Sequence, residues 1–336
     1  MSDGSPFLTV IVLNYNGAAY VRRLFHSLRE QTFQDFDVLM VDNGSDDNSV
    51  AVTRQEFPDV RIVEFGRNLG YAEANNRGAD LTVTPYICFL NNDTFLDKDA
   101  LALLVAAARR RPEAPILAPQ QRTYDDRLTL SAGVGVDILG FYYRGMPTDD
   151  QVFYADGACL FVRRDVFYEL GKFDPFYFMF FEECDLCWRA WLWGYRVQSV
   201  HDALVYHKAG AAAGSSIVAD GQLTTSKRKR RLSHRNQWAT LLKNYAAPTL
   251  VLIVPLFLFM TMAEVVLLTI SGQRSVLRET YVLAWHDILA NWPYLLKRRR
   301  EVQRARVVGD WTIIRRMSLR LATVERFLRS GLPTIT

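Results

Sequence analysis

Four short apolar runs alternate with segments of helical periodicity over the first 110 residues, and this alternation restricts the fold more than any other feature. The runs are rich in β-branched residues, as strands are when both faces of a parallel sheet are covered. Strand alternating with helix predicts an α/β fold with a doubly wound, mostly parallel sheet flanked by helices. The predicted strands are Phe7–Leu13, Phe36–Val41, Val60–Glu64 and Tyr86–Leu90, with helices predicted over 20–31, 49–57, 98–110 and within 68–80.

Beyond Pro112 the alternation weakens, with strands predicted over 157–163, 197–200 and 204–206 and a helix over 180–194. Small residues over 209–216 predict a linker, so residues 1–215 would form one domain and residues 216–336 a second region. The charge changes at nearly the same place. Residues 1–221 hold 20 Lys and Arg against 30 Asp and Glu, whereas residues 222–336 hold 20 against 6. The two parts are therefore expected to meet different partners.

The first residues and the cysteines indicate a cytoplasmic protein. Met1–Pro6 is polar and has no basic start or cleavable apolar stretch, so we expect no signal peptide. Four cysteines are too few for a disulfide framework, and Cys184-Asp-Leu-Cys187 has no second pair to complete a zinc site. We expect them to be core thiols.

Small polar residues follow three of the predicted strands, in the segments Asn14–Gly17, Asp42–Asp47 and Asn91–Asp93. Each segment could be a plain turn, because Asn and Asp dominate turns. The carboxyl ends of parallel strands, however, share the sheet edge where open α/β sheets bind ligands. There Asp42 would accept a hydrogen bond from a ring N–H and Tyr15 would stack on a flat ring, which are both nucleotide-base functions.

Phosphate groups would need a further partner, because the chain has no GxGxxG after its first strand and no GxxxxGK[ST] anywhere. Asp93 offers a hard oxygen ligand for Mg²⁺ or Mn²⁺, ions that bridge a carboxylate and substrate phosphates. The residues alone thus favour a metal-bound nucleotide ligand at this edge.

Seven ordered motifs resemble those of the family-2 inverting glycosyltransferases of GT-A fold, and the rhamnosyltransferase-like branch is the most similar. The resemblance covers roughly the first two thirds of the chain. The motifs are VIVLNYN (Val10–Asn16), MVDNGSDD (Met40–Asp47), NLGYAEANNRG (Asn68–Gly78), FLNND (Phe89–Asp93), DGACLFVRRDVF (Asp156–Phe167), GKFDPFYFMFFEECDLCWRAWLWGYRV (Gly171–Val197) and YHKAG (Tyr206–Gly210).

The resemblance implies a donor site that holds Mn²⁺ or Mg²⁺. Asn91-Asn92-Asp93 occupies the DXD position, so Asp93 would be the main metal ligand, and His207 would join the metal shell. The alternative for His207 is a structural role without a metal. Tyr15 and Asp42 would hold the base, and Asn75 would lie near the ribose or diphosphate. The implied donor-binding residues are Leu13, Asn14, Tyr15, Asp42, Asn75, Asn91 and Asn92.

The resemblance also implies a catalytic base, the second acidic residue of a Glu-Asp-x-Asp-Leu pattern. This chain has FFEECDL, which places Glu183 there and leaves Glu183 and Asp185 as alternative bases. The acidic pair Glu182–Glu183 would otherwise serve only a helix N-terminus. The implied acceptor-binding residues are Asp156, Gly157 and Tyr177.

These residues suit an inverting transfer, in which a carboxylate takes the acceptor's proton while a divalent metal neutralises the leaving diphosphate. We expect transfer from dTDP-rhamnose or a UDP-sugar to a lipid-linked saccharide, in the synthesis of a cell-surface polysaccharide or cell-wall linker. The alternative is a non-catalytic nucleotide-sugar or lipid-binding protein with a degenerate site.

The back part of the chain points to a membrane. The apolar stretch Pro248–Ile270 is long enough to span a bilayer. Pro255 and Glu264 within it, and basic residues on both sides, oppose a simple span. We therefore expect a monotopic, in-plane or re-entrant arrangement at the cytoplasmic face of the cell's inner membrane. A true span and a buried core hairpin are the alternatives.

Basic segments beside this stretch predict anionic membrane lipids as partners. Ser226–Arg235 and Lys297–Arg300 suit lipid head groups, and Trp285, Trp292 and Tyr294 are typical interfacial residues. A solvated helix or a homo-oligomer contact would use the same residues. Basic runs also attract nucleic acid, but no nucleic-acid-binding motif is present, so we expect no nucleic-acid partner.

Overall fold

The structure, a computed structural model, describes residues 5–131, 133–143, 152–208, 217–219 and 222–335, except for the side chains of 217–219, 222–223 and 275. The chain divides into two compact units. The first comprises the described parts of Met1–Val134, Arg144–Ala190 and Tyr195–Ala209, and the second those of Gly135–Tyr143, Trp191–Gly194 and Gly210–Thr336. The predicted linker over 209–216, and with it the boundary at residue 215, lies outside the described residues.

The strands up to residue 207 belong to a large sheet and a small one. They are β1 (Leu8–Asn14), β2 (Phe36–Asp42), β3 (Arg61–Glu64), β4 (Tyr86–Asn91), β5 (Thr94–Leu96), β6 (Ile116–Thr123), β7 (Thr129–Ser131), β8 (Gly135–Val136), β9 (Tyr142–Tyr143), β10 (Cys159–Arg163) and β11 (Val197–His207). Nine of them form one sheet in the order β3-β2-β1-β4-β10-β6-β11-β5, with β7 beside β6. The pair β8–β9 belongs to the second unit.

Helices flank this sheet, and the predicted α/β class is confirmed. They are α1 (Val21–Arg29), α2 (Ser49–Glu56), α3 (Gly70–Asp80), α4 (Ala100–Arg110), α5 (Arg164–Glu169) and α6 (Glu182–Leu192). The apolar stripe of α1 packs with strand side chains such as Val10 and Val12 in one hydrophobic cluster. The four cysteines are buried and free, which confirms the prediction of core thiols.

The sheet departs from the predicted one in its second half. Strands β1 to β4 pair in parallel, whereas β10 runs antiparallel to both β4 and β6. Strand β6 was missed, because Pro119 and the polar residues after it break its apolar run. The two predicted strands over 197–200 and 204–206 are one strand with an irregularity between Val200 and Leu204.

Strand register aligns the polar strand ends. In the parallel pair β1–β2, Asn14 lies opposite Asp42, and in β1–β4, Leu13 lies opposite Asn91. The antiparallel pair β11–β5 places His207 opposite Thr94, one residue after Asp93. Three segments that are distant in sequence therefore end at one edge of the sheet.

The second unit is mostly helical. Its helices are α7 (Lys227–Asn244), α8 (Ala247–Ile270), α9 (Arg274–Leu277), α10 (Leu283–Ala290), α11 (Trp292–Arg304), α12 (Asp310–Ile314) and α13 (Ala322–Ser330), with a π-helical segment at Arg278–Val282. The strands β12 (Ile217–Ala219), β13 (Gln222–Thr225) and β14 (Thr334–Ile335) form a small sheet. Among the described residues, α8 is the one helix long and apolar enough to cross a membrane.

Candidate active site at the carboxyl edge of the sheet

The amide of Asn14 joins the loops that follow β1, β2 and β4. The side chain is fully buried, and its Nδ2 donates to Asp42 Oδ1 at 2.8 Å and to the hydroxyls of Ser45 and Ser49. Its Oδ1 accepts a hydrogen bond from Asn92 Nδ2 at 2.9 Å. The predicted donor-binding edge is thus a connected polar network, and buried networks of this kind hold their members in one arrangement.

Asp42 is buried, and its carboxylate is engaged by the protein itself. Its Oδ2 accepts from the backbone N–H groups of Gly44 and Ser45, both at 3.1 Å. Its Oδ1 accepts from Asn14 and from the Ser45 hydroxyl. A carboxylate offers about four acceptor positions, so these bonds use its capacity to shape the turn. Tyr15, by contrast, is 38% exposed and presents a free surface for a ring. Base binding by both residues stays a prediction.

Asn75 on α3 is buried with both of its side-chain polar atoms unpaired. Its side chain is fully buried, and neither Oδ1 nor Nδ2 has a hydrogen-bond partner. Buried amides are nearly always paired, so an unpaired one requires an explanation such as a ligand. This supports the predicted contact of Asn75 with the donor. Leu13 and Asn91 are half-buried at the same edge.

Asp93 and His207 lie in contact. Asp93 Oδ1 is 3.2 Å from His207 Nε2, and the backbone N–H of Lys208 donates to the Asp93 carbonyl at 3.0 Å. Burial lowers the pKa of His207, but the hydrogen bond and charge of Asp93, with the charge of Asp156, outweigh it and raise the pKa overall. The negative potential that attracts this proton would equally attract a cation.

The two side chains fit part of a divalent metal site. A carboxylate oxygen and an imidazole nitrogen are both ligands of Mn²⁺, and Mg²⁺ accepts the oxygen most readily. No group of three or more His, Cys, Asp or Glu side chains could hold a metal ion within the part of the chain that the structure describes. The remaining ligands would have to come from the substrate or water, as is usual for ions that bridge to phosphates.

Glu183 lies in the first turn of α6 beside other acidic groups. A Cβ atom at Gly157 would be 3.7 Å from the Glu183 carboxyl carbon and 3.2 Å from the Tyr71 hydroxyl, which donates to the Gly157 carbonyl. The Oε2 of Glu183 is buried without a hydrogen-bond partner. Burial, and then the charge of Asp156, raise the pKa of Glu183 to about 8. Because Asp156 also acts on His207, the base candidate and the metal pair share one electrostatic environment.

The segment before α6 is held in unusual backbone conformations. Phe178, Phe180 and Phe181 all have positive φ, between 60° and 74°, which is rare for bulky residues. The Phe178 carbonyl accepts the backbone N–H groups of Tyr71 and Ala72 at the start of α3. The strained segment and α3 therefore position Glu183 and Tyr71 together.

Asp185, the alternative base, is fully buried and ion-paired. Its Oδ2 is 2.9 Å from the guanidinium of Arg189, one turn along α6, and Arg189 also donates to the carbonyls of Leu170 and Lys172. Tyr177, an implied acceptor-binding residue, is likewise fully buried. Asp156 and Gly157, in contrast, lie directly beside Glu183, as described above.

The raised pKa of Glu183 predicts a pH dependence of stability. Its value in an unfolded chain is 4.5, so between about pH 4.5 and 8 the folded protein holds a proton that the unfolded chain releases. The free energy of unfolding should therefore fall with rising pH, by an amount of the order of a few kcal/mol by pH 8. Glu183→Gln should remove this term.

The measurement is the thermal midpoint of wild type and Glu183→Gln from pH 5 to 8, without metal or donor. We expect the variant to become the more stable protein as pH rises. Substitution of the exposed Asp37 by Asn is the matched control and should follow wild type throughout. Parallel curves for Glu183→Gln and wild type would contradict the raised pKa.

The residues that sequence reasoning missed are supporting ones. Tyr71 and Ser49 were not predicted, although Tyr71 lies in the motif NLGYAEANNRG, and both hold site residues by buried hydrogen bonds. Glu182 is buried with an unpaired Oε2, and burial together with Glu183 raises its pKa well above the usual range. The acidic pair in the sequence thus contains a second buried carboxylate, Glu182, that interacts by charge with Glu183.

One protein family and several known proteins are similar to this chain. Residues 9–171 match the family described as Glycosyl transferase family 2. The N-acetylglucosaminyl-diphospho-decaprenol L-rhamnosyltransferase of Mycobacterium tuberculosis (strain ATCC 25618 / H37Rv) is 29% identical over 238 residues, covering 62% of this chain and 78% of that protein.

Two solved structures share the fold at low sequence identity. The mannosyltransferase PcManGT from Pyrobaculum calidifontis, in complex with GDP-Man and Mn²⁺, is similar with a TM-score of 0.54 and 17% identity, covering 90% of this chain and 86% of that one. GalNAc-T7 with UDP, GalNAc and Mn²⁺ has a TM-score of 0.58 and 15% identity, covering 72% and 48%. The mixed sheet flanked by helices is therefore GT-A-like. With its motifs, its sheet and the match over residues 9–171, this chain contains a glycosyltransferase family 2 domain and resembles the rhamnosyltransferases.

Proposed function

We propose that the protein is an inverting, metal-dependent glycosyltransferase that moves a sugar from a nucleotide diphosphate to a lipid-linked saccharide. The observation that carries the proposal is that the charge of Asp156 acts both on Glu183, a buried carboxylate with one free oxygen, and on His207, which contacts Asp93. A base would take the proton of the acceptor hydroxyl, and an ion held by Asp93 and His207 would neutralise the leaving diphosphate. A single displacement at an anomeric carbon requires these two functions.

Glu183 is the base in this proposal, and Asp185 is structural. The ion pair with Arg189 consumes the carboxylate of Asp185, and breaking a buried pair costs about 3–5 kcal/mol. Glu183 has a free oxygen and a pKa of about 8, close to the range in which a general base works best. Asp156 and Gly157 would border the acceptor at this carboxylate.

The reaction then follows from the positions of these groups. Glu183 takes the proton of the acceptor hydroxyl as its oxygen bonds to the anomeric carbon and the bond from that carbon to the diphosphate breaks. Mn²⁺ or Mg²⁺, held by Asp93 and His207, would supply charge neutralisation for the departing diphosphate. Asn75 and the Asn14 network would hold and orient the nucleotide, with Tyr15 stacking on its base.

The substrates are proposed from the relatives. The M. tuberculosis protein is named for a rhamnosyl transfer to N-acetylglucosaminyl-diphospho-decaprenol, so we propose dTDP-rhamnose as donor and a polyprenyl-diphosphate-linked sugar as acceptor. A UDP-sugar is the alternative donor. Such an acceptor would place the enzyme at the cytoplasmic face of the membrane, in the synthesis of a cell-surface polysaccharide or cell-wall linker. Residues 1–215 would be the catalytic domain and residues 216–336 the membrane-association region.

The test is acceptor-dependent release of nucleoside diphosphate. Purified full-length protein with Mn²⁺ would be given dTDP-rhamnose or UDP-sugars, with and without a short-chain polyprenyl diphospho-GlcNAc. We expect one donor to release its nucleoside diphosphate only when the acceptor is present. Binding of a donor without any release, across the whole panel, would instead favour the non-catalytic nucleotide-sugar-binding protein.

A further inference from the structure

Helix α8 has two faces that differ completely in their surroundings. Buried side chains recur at spacings of four, four and seven residues at Ile253, Phe257, Thr261 and Leu268, which places them in one stripe along the helix. The opposite face is apolar and exposed. Its most exposed members are Val251 (71%), Leu252 (75%), Phe259 (68%), Met262 (58%), Val266 (50%) and Ile270 (79%).

Glu264 lies on the covered side of α8. It forms an ion pair with Arg230 of α7 and accepts a hydrogen bond from the Tyr281 hydroxyl at 2.6 Å, while Arg230 also donates to that hydroxyl at 3.1 Å. A carboxylate that is half-buried against the protein and paired there does not have to enter hydrocarbon. Glu264 would therefore incur the free-energy cost of a charge in hydrocarbon only if the covered side of α8 also entered the bilayer.

Helix α7 lies along this same side of α8. His234 stacks on Phe257 with ring centroids 5.3 Å apart, Trp238 contacts the same ring at 5.4 Å, and Arg230 reaches Glu264. Arg230 to Trp238 thus runs beside the middle of α8, from Glu264 to Phe257. Residues 227–244 contain seven lysines and arginines. A spanning α8 would carry much of this basic helix into hydrocarbon, at about 2.5–3.5 kcal/mol for each charge near the bilayer centre.

We infer that α8 does not span the membrane but lies in the plane of one leaflet, with α7 on its cytoplasmic side and Phe259 at the centre of its lipid face. This deepens the membrane association in the proposed function, on which it rests. An amphipathic in-plane helix buries its apolar face at the boundary of head groups and acyl chains, helped by basic residues that attract anionic lipids. The occupant of the apolar face is thus an anionic lipid bilayer.

Two readouts test this, and neither needs donor or acceptor, so they are independent of the proposed sugar transfer. The first is flotation of full-length protein with phosphatidylcholine vesicles containing about 30% phosphatidylglycerol. We expect the double substitution Phe259→Asp and Met262→Asp to lower the bound fraction at least tenfold. Val83→Asp, at a 77% exposed apolar position outside α8, is the matched control and should bind like wild type.

The second readout is labelling by a membrane-impermeant maleimide added outside sealed vesicles that carry the protein on their outer surface. Cysteines introduced at Ala247 and Ser271, exposed positions at the two ends of α8, should both react. Protection of one end until detergent is added would mean that α8 spans, and would overturn the inference. So would wild-type protein that fails to float but loses a dimer on Phe259→Asp, since the apolar face would then be covered by a second copy.

Discussion

Glu183→Gln is expected to lower kcat by two to four orders of magnitude while leaving donor affinity within about twofold, which is the range attributed to a positioned general base. Gln keeps the size of the side chain but cannot accept the proton of the attacking hydroxyl. Because Oε2 of Glu183 has no hydrogen-bond partner, the change breaks no bond at that atom. The loss should therefore appear in catalysis and not in folding.

The measurement combines steady-state turnover with donor titration of the folded variant. Wild-type kcat/KM should rise with pH, pass through half of its limiting value near pH 8 and level off above it, because the proposed base must be deprotonated and its pKa is about 8 in the free enzyme. Asp185→Asn offers the contrast, since it breaks the buried pair with Arg189 and should reduce stability. An active Glu183→Gln beside a folded but inactive Asp185→Asn would assign the base to Asp185.

Asp93→Ala is expected to lower transfer by roughly a thousandfold, because several kcal/mol of charge stabilisation at the leaving diphosphate would be lost. Its contact with His207 Nε2 should be replaced by an unpaired imidazole, whose pKa would fall since the raising effect of Asp93 disappears. Binding of Mn²⁺ in the presence of nucleoside diphosphate, followed by electron paramagnetic resonance, should weaken in parallel.

Substitution of Asp35 provides the control for Asp93→Ala, because Asp35 is exposed and lies on the loop before β2. Asp35→Ala should keep both Mn²⁺ binding and turnover. His207→Ala should weaken Mn²⁺ less than Asp93→Ala, since a neutral ligand contributes less than a charged one. Full turnover by Asp93→Ala with unchanged Mn²⁺ dependence would remove this residue from the proposed metal site.

The sequence predicted those parts of the site that depend on strand ends. Asn14, Asp42 and Asn91 are neighbours because their parallel strands end at the same edge of the sheet. The point at which each apolar run gives way to polar residues marks that strand end in the sequence. The contact of Asp93 with His207 depends instead on the pairing of β11 with β5, a strand of three residues. So short a strand has too little pattern to reveal its partner, and only the resemblance indicated the contact.

The choice between Glu183 and Asp185 was left open although a signal was present. Asp185 and Arg189 are four residues apart on a predicted helix, a spacing at which opposite charges pair. That pairing indicated a structural role for Asp185. The four bonds that engage Asp42 were not foreseeable, because they depend on how the Ser45 hydroxyl and two backbone N–H groups turn after β2.

The contacts that α7 makes with Phe257 and Glu264 also constrain the number of residues that separate these two positions of α8. Each residue advances an α-helix by about 100°, so a one-residue insertion or deletion between these positions would turn the carboxylate out toward the acyl chains. Replacement of one apolar residue by another on the outer side carries no such consequence. Natural versions of this segment should thus differ in which apolar residues lie on the outer side of α8, but should keep the same number of residues between the positions of Phe257 and Glu264.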